Sequence, residues 1–214
     1  MLPPVTIVWA CAVSAEEYLS AGAKVEVPRP DCPSCSKPMV FWSGYWRDLR
    51  AEGRCAKAWV RRARCKDCGV SHGLLPAFLL VGRLDVVESV GEVLEAVMAK
   101  MSGVRPAAAR VEVPYTTARG WRRRFERTAE RWAVAFSALA VELGGAVLTP
   151  LADAGGRALE AIRAAWEAAT ALPGWAALGA WRFASAVSGG RLIATNTDSP
   201  WLIVGRRRFM PPVP

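Results

Sequence analysis

Cysteines separated by two residues occur twice, as Cys32-Pro33-Ser34-Cys35 and as Cys65-Lys66-Asp67-Cys68, the second followed at once by Gly69. Thiols so spaced in a tight turn can both reach one metal ion, and two such turns supply four soft ligands in a tetrahedral array, the set Zn2+ takes. The expected metal ligands are therefore Cys32, Cys35, Cys65 and Cys68, with Zn2+ as the cofactor. Free thiols or a redox pair are the other readings of such spacing. Cys55 has no cysteine two or three residues away, and His72, the single histidine, lies four residues past Cys68. Either is an alternative ligand, His72 in a Cys-x-x-Cys-x-x-x-His variant.

The segment between the two pairs is the length of two or three short strands, as in a zinc ribbon. It carries Phe41, Trp42, Tyr45, Trp46 and Trp59, and Arg47, Arg50, Arg54, Lys57, Arg61, Arg62 and Arg64 surround them, against Asp48 and Glu52. Such aromatics either pack beside the metal as a small core or stack on nucleobases, while the cations meet phosphate. A merely solvated surface mixes its signs more evenly.

The whole chain agrees with an anionic partner. Its 214 residues hold 28 Lys and Arg against 19 Asp and Glu, a formal charge of +9, which favours nucleic acid or an anionic membrane surface. No run reaches the ~20 apolar residues of a membrane span. Met1-Leu2-Pro3-Pro4 has no positive leader, so a reduced cytoplasmic setting is expected, with no membrane partner and thiolates bound to metal rather than paired as disulfides.

The positioning elements are read from periodicity. Thr6–Ala10 and Lys24–Val27 read as strands, with a helical patch from Glu16 to Ala21. From Asp85, Val87, Val90, Leu94, Val97, Met98 and Met101 recur at helical spacing. Arg105–Val111 reads as a second helix with Pro106 near its start, and Thr116 or Thr117 can cap a third that continues through Arg131. In that third helix Ala118, Trp121, Phe125, Ala129 and Trp132 share one side. Thr116, Gly120, Arg123 and Arg127 fall opposite, with Arg119 and Arg124 on the flanks. Long helix, short helix, turn and basic helix together read as a helix-turn-helix, whose arginines can bond guanine edges in a major groove. A solvated basic helix is the plainer reading. Candidate DNA contacts are Thr116, Thr117, Arg119, Gly120, Arg123, Arg124 and Arg127, with Arg61, Arg62 and Arg64.

The expected fold class is α+β, mainly α: a small N-terminal zinc ribbon, then a helix-turn-helix, then an Ala-rich helical C-terminal region. The divisions are 1–30, a strand and helix segment; 31–80, the ribbon; 84–132, the helix-turn-helix; 133–187, helices; and 188–214, short strands at Arg191–Ala194 and Trp201–Val204 and a disordered basic, Pro-rich tail. Gly144-Gly145 and Gly155-Gly156 lack the lysine and spacing of a phosphate loop. Asp153, Glu160, Glu167 and Asp198 lie on Ala-rich helix or loop with too little chain for a two-metal nuclease. No catalytic residue is assigned and no enzyme is expected.

The motifs Cys32-Pro33-Ser34-Cys35, Arg62-Ala63-Arg64-Cys65-Lys66-Asp67-Cys68-Gly69, Leu74–Phe78, Val104–Ala108 and Thr116–Trp121 resemble an actinobacterial family of unknown function, and the likeness extends to Thr195–Trp201. The same order is similar to the N-terminal, DNA-binding half of insertion-sequence transposases that begin with a zinc ribbon. The resemblance implies a mobile-element or regulatory DNA-binding protein. Its partners would be double-stranded DNA, a recombinase or transposase, and a second copy of the chain. The other reading is a non-catalytic adaptor docking such a protein through the ribbon and the C-terminal helices.

Overall fold

Glu52 and Gly53 both have positive φ, 48° and 70°, the backbone with which a two-residue turn matches the twist of flanking strands. They join β2 (Met39–Ala51) to β3 (Arg54–Cys65). The pairing runs from Met39 opposite Cys65 to Ala51 opposite Arg54, interrupted once between Phe41 and Ser43 by a bulge at Trp42. β4 (Ser71–Pro76) lies antiparallel to β3, and β1 (Thr6–Trp9) lies parallel to β4. A two-residue β5 (Phe209–Met210) pairs parallel with β1 and completes a mixed sheet of order β2-β3-β4-β1-β5. The structure, a computed structural model, describes residues 6–145, 153–194 and 209–212.

This sheet overturns the expectation of a mainly α chain headed by a small, separate zinc ribbon and a helix-turn-helix. The hairpin strands are 13 and 12 residues long rather than short. The same sheet takes in β1, so the metal-binding loops stand at one end of a larger element. The core is also continuous. Tyr18, on α1 (Ala15–Ala21, capped by Ser14 and Glu17), donates to the Trp59 carbonyl at 2.6 Å. Arg50 on β2 meets Asp85 at 2.7 Å, beside backbone bonds from Arg50 N to Leu84 O and from Val86 N to Arg50 O.

The helices follow as α2 (Val87–Met98), α3 (Val104–Arg110), α4 (Tyr115–Glu142), α5 (Ala154–Ala169) and α6 (Gly179–Val187). Trp121, Phe125, Trp132 and Phe136 of α4 are buried, each contributing about 1.5–3 kcal/mol by leaving water. α4 runs 28 residues without a break across the division placed at 132, because Ala133, Ala135, Phe136 and Ala140 continue the buried stripe. Its N-cap is Pro114, with no side-chain cap, so neither Thr116 nor Thr117 caps it. Arg157 pairs with Glu130, and Ala168 lies where a Cβ on Gly145 would reach, so α5 runs alongside the C-terminal half of α4 in the same direction. Asp153 caps α5, accepting from Gly156 N at 2.8 Å.

Lys24 closes a short 3-10 turn instead of opening a strand. Arg191–Ala194 form a turn rather than a strand, with the Leu192 carbonyl accepting from Trp132 Nε1 at 3.0 Å and that of Ile193 from Arg83 at 3.1 Å. The expected strand at Trp201–Val204, the motif at Thr195–Trp201 and Arg206–Arg208 lie outside the described residues.

Candidate functional site

Two loops of one design hold the cysteines. In the first, Cys32 N donates to Lys37 O at 2.8 Å and Ser36 N to Cys32 O at 2.8 Å. In the second, Cys65 N donates to Val70 O at 2.9 Å and Gly69 N to Cys65 O at 3.1 Å. The residue after each second cysteine turns left-handed, Ser36 at φ 57° and Gly69 at 72°, which is where glycine serves best. The ligand atoms of Cys32, Cys35, Cys65 and Cys68 all lie within 4.8 Å of one another, with Cys32–Cys68 at 3.5 Å and Cys35–Cys65 at 3.4 Å. Sulfurs tetrahedral about an ion at about 2.3 Å would stand about 3.8 Å apart, so the cluster fits one ion. This is a possible metal-binding site.

The thiols are unequal. The Cys68 backbone amide holds Cys65 down to about 7, whereas at Cys35 the Lys37 amide, which lowers, is outweighed by the Cys65 sulfur and burial, leaving it up at about 12. His72 is buried in β4 opposite Ala63 and is outside the cluster, and Cys55 is exposed beside the hairpin turn.

At the other end of the hairpin, roughly 36 Å along β3 at 3.3 Å per residue, Gly53 packs against Glu112 in the turn that precedes α4. From there α4 presents Arg119, Arg123, Arg127 and Arg131, spaced four apart and all exposed, on a side away from the buried row Ala118, Trp121, Phe125, Ala129 and Trp132. Thr116 is exposed and Thr117 half-buried. Arg124 folds over Gly120, where an added Cβ would meet its Nη2 at 3.0 Å. Burial first, then the charges of Arg83, Arg123 and Arg127, lower the pKa of Arg124 from its ordinary value. The ridge thus has further cations beside it, Arg124 and Arg83. Neither Arg131 nor Arg83 is among the residues expected from sequence. Arg131 carried a signal, the unbroken four-residue interval; Arg83 had none, because a chain reversal brings it there.

The three β3 arginines expected at DNA, Arg61, Arg62 and Arg64, divide. Arg61 donates to Ala23 O at 2.7 Å and lies 5.1 Å from the Phe41 ring, bracing the sheet against the turn after α1. Arg62 and Arg64 instead approach Trp42, at 5.9 and 5.5 Å from its ring. Trp42 and Trp46 are 53% and 52% exposed, on the surface rather than in a core beside the metal. Among the described residues no helix is long and apolar enough to cross a membrane.

Residues 32–131 match the model of a family described as a domain of unknown function, DUF6431. The matched stretch opens on Cys32 and closes on Arg131, so it contains all four clustered cysteines, the hairpin and the arginine ridge. No curated protein and no solved structure matches the chain.

Proposed function

We propose that the chain is a DNA-binding protein held in shape by Zn2+ at the four cysteines, and that the ridge Arg119–Arg123–Arg127–Arg131 engages duplex DNA. The observation that carries the reading is that ridge. Four arginines recur at four-residue intervals along the exposed side of α4, while the opposite side does the packing. A row of cations at that interval suits an anionic partner that runs along the helix. A helix fits the roughly 12 Å major groove, and arginine bonds guanine bidentately there, which is the route to sequence selectivity. The closed all-sulfur cluster, with all four ligands supplied by protein, favours a structural Zn2+. Likeness to the DNA-binding half of transposases extends the proposal to a mobile element, with gene regulation as the other setting.

The test is a duplex-binding titration of the zinc-loaded chain and of Arg123→Ala/Arg127→Ala. The reading expects a tenfold or greater loss and recovery in the Lys variants; equal affinity in the Ala variant contradicts it.

One observation favours a second role as an adaptor or homodimer. Val134, Ala138 and Val141 are exposed at helical spacing on the C-terminal half of α4. Self-association that Val134→Glu abolishes while duplex binding persists would add that role.

A further inference from the structure

Three large aromatics within five residues of one strand, Trp42, Tyr45 and Trp46, are more than 40% exposed. Scattered apolar side chains on a surface need no explanation, but an exposed ring approached by two guanidinium groups does. Trp42 is the one the backbone singles out. It sits in the bulge of β2, the device by which a strand re-aims a side chain. Arg62 and Arg64 stand two apart on β3, hence on one side of the sheet. Both guanidinium groups approach the indole from that side, and about half of the residue remains open to solvent. The frame is stiff: Arg64 directly precedes Cys65, whose amide is tied to Val70 O at 2.9 Å. β2 is also an edge strand, so nothing in the sheet covers the bulge.

We infer that Trp42, backed by Arg62 and Arg64, is a stacking site for an unpaired nucleobase whose flanking phosphates meet the two arginines. This rests on the proposal that the chain binds nucleic acid, but adds a second mode at the opposite end of the hairpin from the ridge. A duplex keeps its bases stacked inside, so it cannot use an aromatic platform of this kind. A single strand can, whatever its sequence, because every base offers a flat face. The charge and the ring together favour a strand: an apolar peptide would leave two guanidinium groups without partners and an acidic one would leave the indole without a ring to stack on, whereas a strand supplies both base and phosphate.

The experiment compares a labelled single strand of about 20 nucleotides, its RNA counterpart and the matching duplex on wild type, Trp42→Ala, Trp42→Phe and Arg123→Ala/Arg127→Ala. Stacking on one aromatic predicts a loss of about 5- to 100-fold for single strand in Trp42→Ala, most of it regained in Trp42→Phe, with duplex affinity unchanged within twofold. Loss on either the DNA or the RNA strand supports the site. Single-strand affinity within twofold of wild type in Trp42→Ala overturns the inference, as does an equal loss for single strand and duplex. Metal content and circular dichroism of Trp42→Ala must match wild type, and Trp42→Phe carries the test if they do not. Duplex binding separates the two proposals: if wild type binds single strand through Trp42 but no duplex, the duplex reading fails and this one stands, whereas duplex affinity lost in the ridge variant and kept in Trp42→Ala supports both.

Discussion

The ion pair Arg50–Asp85 joins the hairpin to the segment that leads into α2, and both side chains are largely out of water, 15% and 4% exposed. Replacing Asp85 by Leu leaves a buried guanidinium with no counter-charge, a change that costs about 3–5 kcal/mol in buried pairs. Arg50 keeps a little solvent contact, so the lower end, about 3 kcal/mol, is the expectation. The neighbouring bonds from Arg50 N to Leu84 O and from Val86 N to Arg50 O use backbone only, so the segment stays docked and the measured loss belongs to the charge. Arg50→Met should cost a similar amount by stranding the carboxylate. The double variant, Arg50→Met with Asp85→Leu, removes both charges, and a well-packed apolar pair is often neutral or better. The cycle therefore predicts a favourable coupling of at least ~2 kcal/mol in urea unfolding followed by tryptophan fluorescence. Single variants costing under ~1 kcal/mol, or a double variant as damaged as the sum of its singles, would refute a sheet and helices joined through this pair.

Other substitutions have equally specific outcomes. Gly91 lies against the Trp181 indole, so Gly91→Ala forces out a ring that also donates to Glu95 at 2.8 Å; overpacking of this kind costs about 1–3 kcal/mol, read as a lower urea midpoint. Arg123 has a like charge four residues to either side, so Arg123→Ala should stabilise the chain by about 0.5–1 kcal/mol while weakening duplex binding; a melt showing destabilisation contradicts the ridge argument. Chelation of zinc-loaded protein should lower the melting temperature, since metal in thousandfold excess over Kd contributes about 4 kcal/mol, and Cys32→Ser or Cys65→Ser should remove the difference.

What was legible in the sequence was local. The Cys-x-x-Cys repeats pointed to a cluster that the fold brings within 4.8 Å, because each loop is closed by bonds among a handful of neighbouring residues. The apolar row of α4 was equally readable from its spacing, and all five of the residues placed on it are buried. The sheet was not. β1 pairs parallel with β4 across more than sixty residues of chain, and β5 joins from the far terminus, so no window of sequence contains either contact. Lys24–Val27 alternates as a strand would, but among the described residues no strand pairs with it. The division placed at 132 has no counterpart in α4 for a related reason: the alanines after Trp132 change the composition but continue the same buried face. At the candidate interface, Arg61 read like Arg62 and Arg64, yet its position facing Ala23 makes it a brace, and the bulge that frees Trp42 depends on register, which one strand's sequence does not contain.

The most direct test is the salt dependence of duplex binding by the zinc-loaded chain, measured with and without the ridge. Each phosphate neutralised contributes about −0.9 to the slope of log K against log salt. The account predicts a steep wild-type slope that becomes shallower by about 3 to 4 when Arg119, Arg123, Arg127 and Arg131 are replaced together. A slope near zero, or one unchanged by loss of the four arginines, would contradict it.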